Sequence, residues 1–166
     1  MNSLQFLIIG GERSGTHWVA ALLNNHRDVA CFPTIPFHTL NPELRGKTPG
    51  EMHFFNTIAN LLPDQNNKFI RPFSDFSFKY NKVFADLTPL IGTIPNNELV
   101  RRCTERYSDF CEKQRGTKRI VGEGTPAYVF HLPLIDSLYP GIKKIFSIRD
   151  PKDKIVSWHF SLLNKG

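Results

Sequence analysis

The chain has 166 residues, 40% hydrophobic and 22% charged, with a net charge of +6 and a sequence pI near 9.4. That is room for one domain with its own core and too little for two, and the composition is ordinary for a soluble globular protein. No apolar run approaches the length of a membrane span, and the positive balance leans toward an anionic partner, with a solvated basic surface as the plainer reading of charge alone.

Residues 4–9 (LQFLII) form a short, nearly continuous apolar run, the pattern of a strand buried on both faces of a parallel sheet. The run is too short for a secretory h-region and leads into a glycine turn rather than a cleavage site. The turn, GGERSG, opens a helix near Gly15 in which Val19, Leu22, Leu23 and His26 recur at helical spacing. Residues 31–50 hold Pro33, Pro36, Pro42 and Pro49 and read as an excursion with little regular structure. After EMHFFN, residues 56–95 read as short helices rich in phenylalanine.

A longer helix follows, capped by Asn96 or Asn97, with Leu99, Val100, Cys103, Tyr107, Phe110 and Cys111 on one stripe. RIVGEG and KKIFSIRD are the next strands, separated by the helical turn LPLIDSLYPG. In the last helix Asp150 is the N-cap, Pro151 takes the first helical position and Asp153 sits in the first turn. Its expected inner face is Ile155, Val156, His159, Leu162 and Leu163. Alternating strands and helices predict a three-layer α/β sandwich around a central parallel sheet. The cysteines, Cys31, Cys103 and Cys111, are odd in number and lack Cys-x-x-Cys spacing, which argues against a disulfide framework or zinc site and suits reduced thiols in a cytoplasm.

Strand, glycine loop and helix N-terminus in succession make an anion site, because loop amides and the positive end of the helix converge there. Glycines 10, 11 and 15 allow close backbone approach, Arg13 adds a cation and the Thr16 hydroxyl can donate. A loop for ATP and magnesium would carry lysine and then Ser or Thr after Gly15, where this chain has Thr16 and His17. The site is therefore expected to take an anion without a metal; a plain strand-to-helix turn is the alternative. In IRDPKDKIVSWHF, Arg149 falls at the carboxyl end of a strand, where parallel sheets place ligands, and Ser157 lies two turns along the helix. Guanidinium and hydroxyl suit a second phosphate, while a salt bridge from Arg149 to Asp153 is the competing reading.

Together the two stretches resemble the signatures of the sulfotransferases that use 3′-phosphoadenosine 5′-phosphosulfate (PAPS). RSGTHW (residues 13–18) is similar to their loop Lys/Arg-Ser/Gly-Gly-Thr-x-Trp, and RDPKDKIVS (residues 149–157) to Arg-Asp/Asn-Pro-x-Asp/Glu-x-x-x-Ser. GEMHFF (residues 50–55) resembles the Lys-Glu-x-His-Phe-Phe segment of glycan and bacterial members, and GEGTPAYVF (residues 122–130) their Glu-Lys-Ser/Thr-Pro-x-Tyr-Phe. The match runs over residues 4–160 and is poor over 56–118.

The resemblance implies the P-loop-like sulfotransferase fold and transfer of a sulfuryl group from PAPS to a hydroxyl or amine on a carbohydrate or small molecule, without a metal. It implies that Gly11, Arg13, Ser14, Gly15, Thr16, His17 and Trp18 bind the donor around its phosphosulfate and adenine, and that Arg149 and Ser157 hold its 3′-phosphate. Arg13 would neutralise charge on the departing phosphate, and Trp18 packs on adenine or, alternatively, in the core. Glu51 is the implied general base. His53 and His131, the latter in an HLP that echoes cytosolic members, are its rivals, and Glu123 is read as structural or acceptor-positioning.

Gly124 replaces the family lysine of the Glu-Lys-Ser/Thr-Pro segment, and the excursion before Glu51 is longer than usual. Family members continue well beyond the second motif, so residues 1–166 are expected to form one sulfotransferase domain lacking its C-terminal part. A magnesium-dependent nucleotide kinase and a non-catalytic nucleotide- or nucleic-acid-binding module are the alternatives. The basic residues are scattered and no nucleic-acid motif is present, which argues against the latter.

Overall fold

The computed structural model describes residues 4–32, 54–61 and 83–163. Glu51 and His53 lie outside the described residues, as does most of the proline-rich excursion. Four strands form a wholly parallel sheet: β1 (Phe6–Gly10), β2 (Val29–Phe32), β3 (Ile120–Gly124) and β4 (Lys143–Ser147), in the spatial order β2-β3-β1-β4. The helices are α1 (Thr16–Asn24), α2 (Phe54–Leu61), α3 (Asn96–Arg115), α4 (Leu132–Leu138) and α5 (Pro151–Leu163), with 3-10 turns at Ala85–Leu90 and Pro126–His131.

Every residue of β1 is buried, as a strand covered on both faces must be. Its side chains alternate between two apolar layers. Phe6 and Ile8 meet Ala20, Val29 and Cys31, with Val19 and Leu23 of α1 packed on them. Leu7 and Ile9 enter the larger layer with Phe54, Phe55 and Ile58 of α2, Leu99, Cys103 and Tyr107 of α3, and Ile135 of α4. The sheet is thus covered on both faces at β1, in the manner of a three-layer α/β fold, while β4 at its edge is largely exposed.

The α1 stripe differs from the expected one. Thr16 and Ala20 are its buried residues, Leu22 is 49% exposed and His26 lies beyond the helix end. Small side chains at the contact let α1 sit close to the sheet. The α3 stripe is as read: Leu99, Cys103, Tyr107 and Cys111 are fully buried, with Val100 and Phe110 packed beside them. Its cap is Pro95 rather than Asn96 or Asn97, although Asn97 Oδ1 accepts the N–H of Glu98 at 2.9 Å.

Strand β2 takes Cys31 and Phe32 out of the expected excursion. Asn24, the last residue of α1, holds it there: Nδ2 donates to Cys31 O at 2.8 Å and Oδ1 accepts from Cys31 N at 3.0 Å. The three cysteines are buried, and no disulfide joins them. Strand β4 ends at Ser147, so Ile148, Arg149 and Asp150 lie past it in the connection to α5.

A buried carboxylate ties the larger layer together. Glu123, at the carboxyl end of β3, accepts Thr125 Oγ1 at 2.8 Å and Tyr128 OH at 2.6 Å on Oε1, and Tyr107 OH on Oε2. Tyr128 OH in turn accepts the Phe54 amide at 2.8 Å, fixing the start of α2. Both tyrosines are completely buried, and burial beside Glu123 holds their pKa well above the ordinary phenol value, so they remain donors.

Candidate functional site

The carboxyl ends of β1 and β4 lie side by side, Gly10 opposite Ser147. Chain leaving β1 travels to β2 on one side of it, while β4 lies on the other, so a crevice opens where parallel sheets bind ligands. The glycine loop and the start of α5 both rise from these ends.

In the loop, Gly11 O accepts the Ser14 amide at 3.1 Å, closing a tight turn across Glu12 and Arg13. A Cβ at Gly10 would sit 2.3 Å from Ser14 Oγ and 2.7 Å from Ser147 O, so only glycine fits beneath the turn. Ser147 Oγ donates to Ser14 O at 2.8 Å and binds the loop to β4. Ser147 escaped the sequence reading; its one signal is its place at the end of the strand just before Arg149.

Gly15 caps α1 with φ 93°, a left-handed conformation suited to glycine. No side chain caps this helix end and no acidic residue occupies its first turn. Its first amides and positive dipole end are therefore not neutralised from within the helix. Ser14 is buried at 7% exposure, and its Oγ has no hydrogen-bond partner among the described residues. An orphaned hydroxyl in a loop of converging amides suits an anion.

Arg13 also has a left-handed backbone, φ 61°, uncommon for a residue with a side chain. Its exposed guanidinium crosses to α5, where Nε reaches Ser157 Oγ at 3.3 Å and Nη2 reaches Ser157 O at 3.4 Å. Two candidate residues 144 positions apart are thus in contact. Thr16 is buried, while His17 and Trp18 are exposed on the first turn of α1. Trp18, at 66% exposure, is not a core residue.

Asp150 caps α5 as the sequence predicts, Oδ1 accepting the Lys152 amide at 2.8 Å and its carbonyl the Lys154 amide at 3.0 Å. Arg149 is exposed, and among the described residues no ion pair joins it to Asp153. The expected inner face of α5 is not one: Ile155 is 70% and Val156 54% exposed, and His159 is exposed. The side chains of Leu162 and Leu163 lie outside the described set. The face that meets the body carries Lys154 and Ser157, which touch Gly11 and Arg13. Apolar residues spread around this helix leave its polar pair to dock on the loop.

His131 is buried, and both ring nitrogens lack partners among the described residues. Burial lowers its pKa from 6.5 to about 4, so the ring is neutral and enclosed. A cleft of about 240 Å³ lies at the loop, lined by Glu12, Arg13, Lys154, Ile155 and Trp158. A larger one of about 450 Å³ opens at the amino ends of the strands beside Leu4, Tyr139 and Lys143, the end where parallel sheets do not place their chemistry. Among the described residues no cluster of His, Cys, Asp or Glu could hold a metal, and no helix is long and apolar enough to cross a membrane.

No curated protein and no solved structure matches the chain. A family model does: the one described as "Sulfotransferase family" matches residues 5–166, both loop and α5 included, and the chain belongs to that family.

Proposed function

We propose that this sulfotransferase-family protein transfers a sulfuryl group from PAPS to a hydroxyl or amine of a carbohydrate or small molecule. The observation that carries the reading is the contact between Arg13 of the loop and Ser157 of α5, the two halves of a site for a ligand anionic at both ends. Bound there, PAPS supplies an activated sulfuryl group whose leaving partner is a phosphate.

The chain's own residues would do the rest. Loop amides, Ser14 and Thr16 hold the 5′ end, with Gly11 and Gly15 giving it room and His17 beside it. Arg13 neutralises charge that grows on the phosphate, a role a fixed guanidinium fills without a metal. Arg149 and Ser157 hold the 3′-phosphate, and the exposed Trp18 indole offers a face for adenine. Glu51 takes the proton from the acceptor; it stands three residues before Phe54, whose amide Tyr128 fixes. His131, enclosed and without a hydrogen-bond partner among the described residues, is the weaker candidate for that base. Three buried cysteines with no disulfide between them suit a cytoplasmic setting.

Arg149→Ala is expected to weaken 3′-phosphoadenosine 5′-phosphate (PAP), the donor without its sulfuryl group, about tenfold or more while leaving adenosine 5′-phosphosulfate unchanged, because only PAP carries the 3′-phosphate. Titration of both ligands into both proteins checks this, and equal losses would contradict the assignment.

A further inference from the structure

The loop lacks the lysine that ATP-binding phosphate loops carry after their last glycine. The fold brings one in from elsewhere. Lys154 Nζ lies 2.6 Å from where a Cβ at Gly11 would be, so the ammonium rests directly on the loop backbone. On a helix otherwise exposed through its described side chains, only Lys154 and Ser157 are half-buried, one turn apart and both against the loop. The cleft beside them holds two cations, Arg13 and Lys154, against one carboxylate, Glu12.

From this placement, with the orphaned Ser14 hydroxyl in the same loop, we infer that Lys154 is a second cationic ligand for the 5′-phosphate end of the donor, supplied by α5 in place of the missing loop lysine. The inference rests on the PAPS reading above. Arg13 and Lys154 approach one small cleft from different elements, and two like charges held together are relieved by an anion between them. Among the described residues, Asp150 at the cap of its helix, Asp153 in the first turn and Glu12 in the cleft are the carboxylates that face this end of α5. A residue larger than glycine at position 11 would displace the ammonium, which gives Gly11 a second reason to be glycine.

The test measures binding, not turnover. PAP, adenosine 5′-phosphosulfate and 3′-AMP are titrated into the wild type, Lys154→Gln, Lys154→Arg and, as a control on the same helix, Lys152→Gln. Lys154→Gln is expected to weaken PAP and adenosine 5′-phosphosulfate about tenfold or more and leave 3′-AMP unchanged, the size expected for one charge-assisted contact. Lys154→Arg should restore most of the loss, and Lys152→Gln should change nothing. Wild-type affinity for PAP in Lys154→Gln, or an equal loss for 3′-AMP, overturns the role of Lys154 while leaving the PAPS reading intact. A wild-type chain that binds none of the three overturns both.

Discussion

Arg13 joins a strained backbone to a proposed donor contact in one residue. A side chain in the left-handed region costs on the order of 1 kcal/mol relative to glycine, and such outliers persist where the surrounding structure demands them. Arg13→Gly is therefore expected to raise stability slightly, by up to about 1 kcal/mol in denaturant titration, while abolishing sulfuryl transfer. A variant that keeps its activity would remove Arg13 from the mechanism. Glu123 is the opposite case, a buried carboxylate whose removal strands two tyrosine hydroxyls and a threonine. Glu123→Ala should cost about 3 kcal/mol or more, read as a lowered denaturant midpoint, since buried donors are left unmet.

His131 makes stability depend on pH. Above pH 6.5 neither the folded nor the unfolded ring binds a proton, so it contributes nothing there. Between 6.5 and about 4 only the unfolded chain takes the proton, so stability falls as the solution is acidified, by up to about 3 kcal/mol. His131→Leu should flatten that part of the stability profile; an unchanged slope would mean the ring is not the group responsible.

At the scale of elements, α5 works as an arm that presents Lys154 and Ser157 to the loop, and its start is set by the Asp150 cap. Asp150→Ala is expected to destabilise the helix by about 1 kcal/mol and, by loosening that arm, to weaken PAP as well. Circular dichroism and titration on the same protein check the pair of effects. The cap was legible because Asp-Pro-x-Asp encodes it locally, and so was the α3 stripe, where twenty residues keep one period. The inner face of α5 was not. Its apolar residues suggested a core contact, yet Ile155, Val156, Trp158 and Phe160 stand open, as do Phe146 and Ile148, and periodicity cannot say which element, if any, lies opposite. Strand β2 was missed because four residues carry too little pattern; its position is set by Asn24 and by pairing with β3, neither of which is local. Lys154 was unreadable for the same reason, since its meaning depends on Gly11, far away in the chain.

For the whole molecule, the parallel sheet is what turns separated motifs into one place. Placing β1 next to β4 brings the loop and the Arg149–Ser157 segment to the same end of the sheet, which is what a single ligand held by both would require. The net charge of +6 adds a field that draws anions and that salt screens. The most direct measurement is a calorimetric titration of the wild-type chain with PAP, set against ATP with magnesium. The account predicts that PAP binds with one site per chain and that ATP with magnesium binds much more weakly. ATP bound in preference to PAP would mean that the loop serves phosphoryl rather than sulfuryl chemistry, and would contradict the account at its centre.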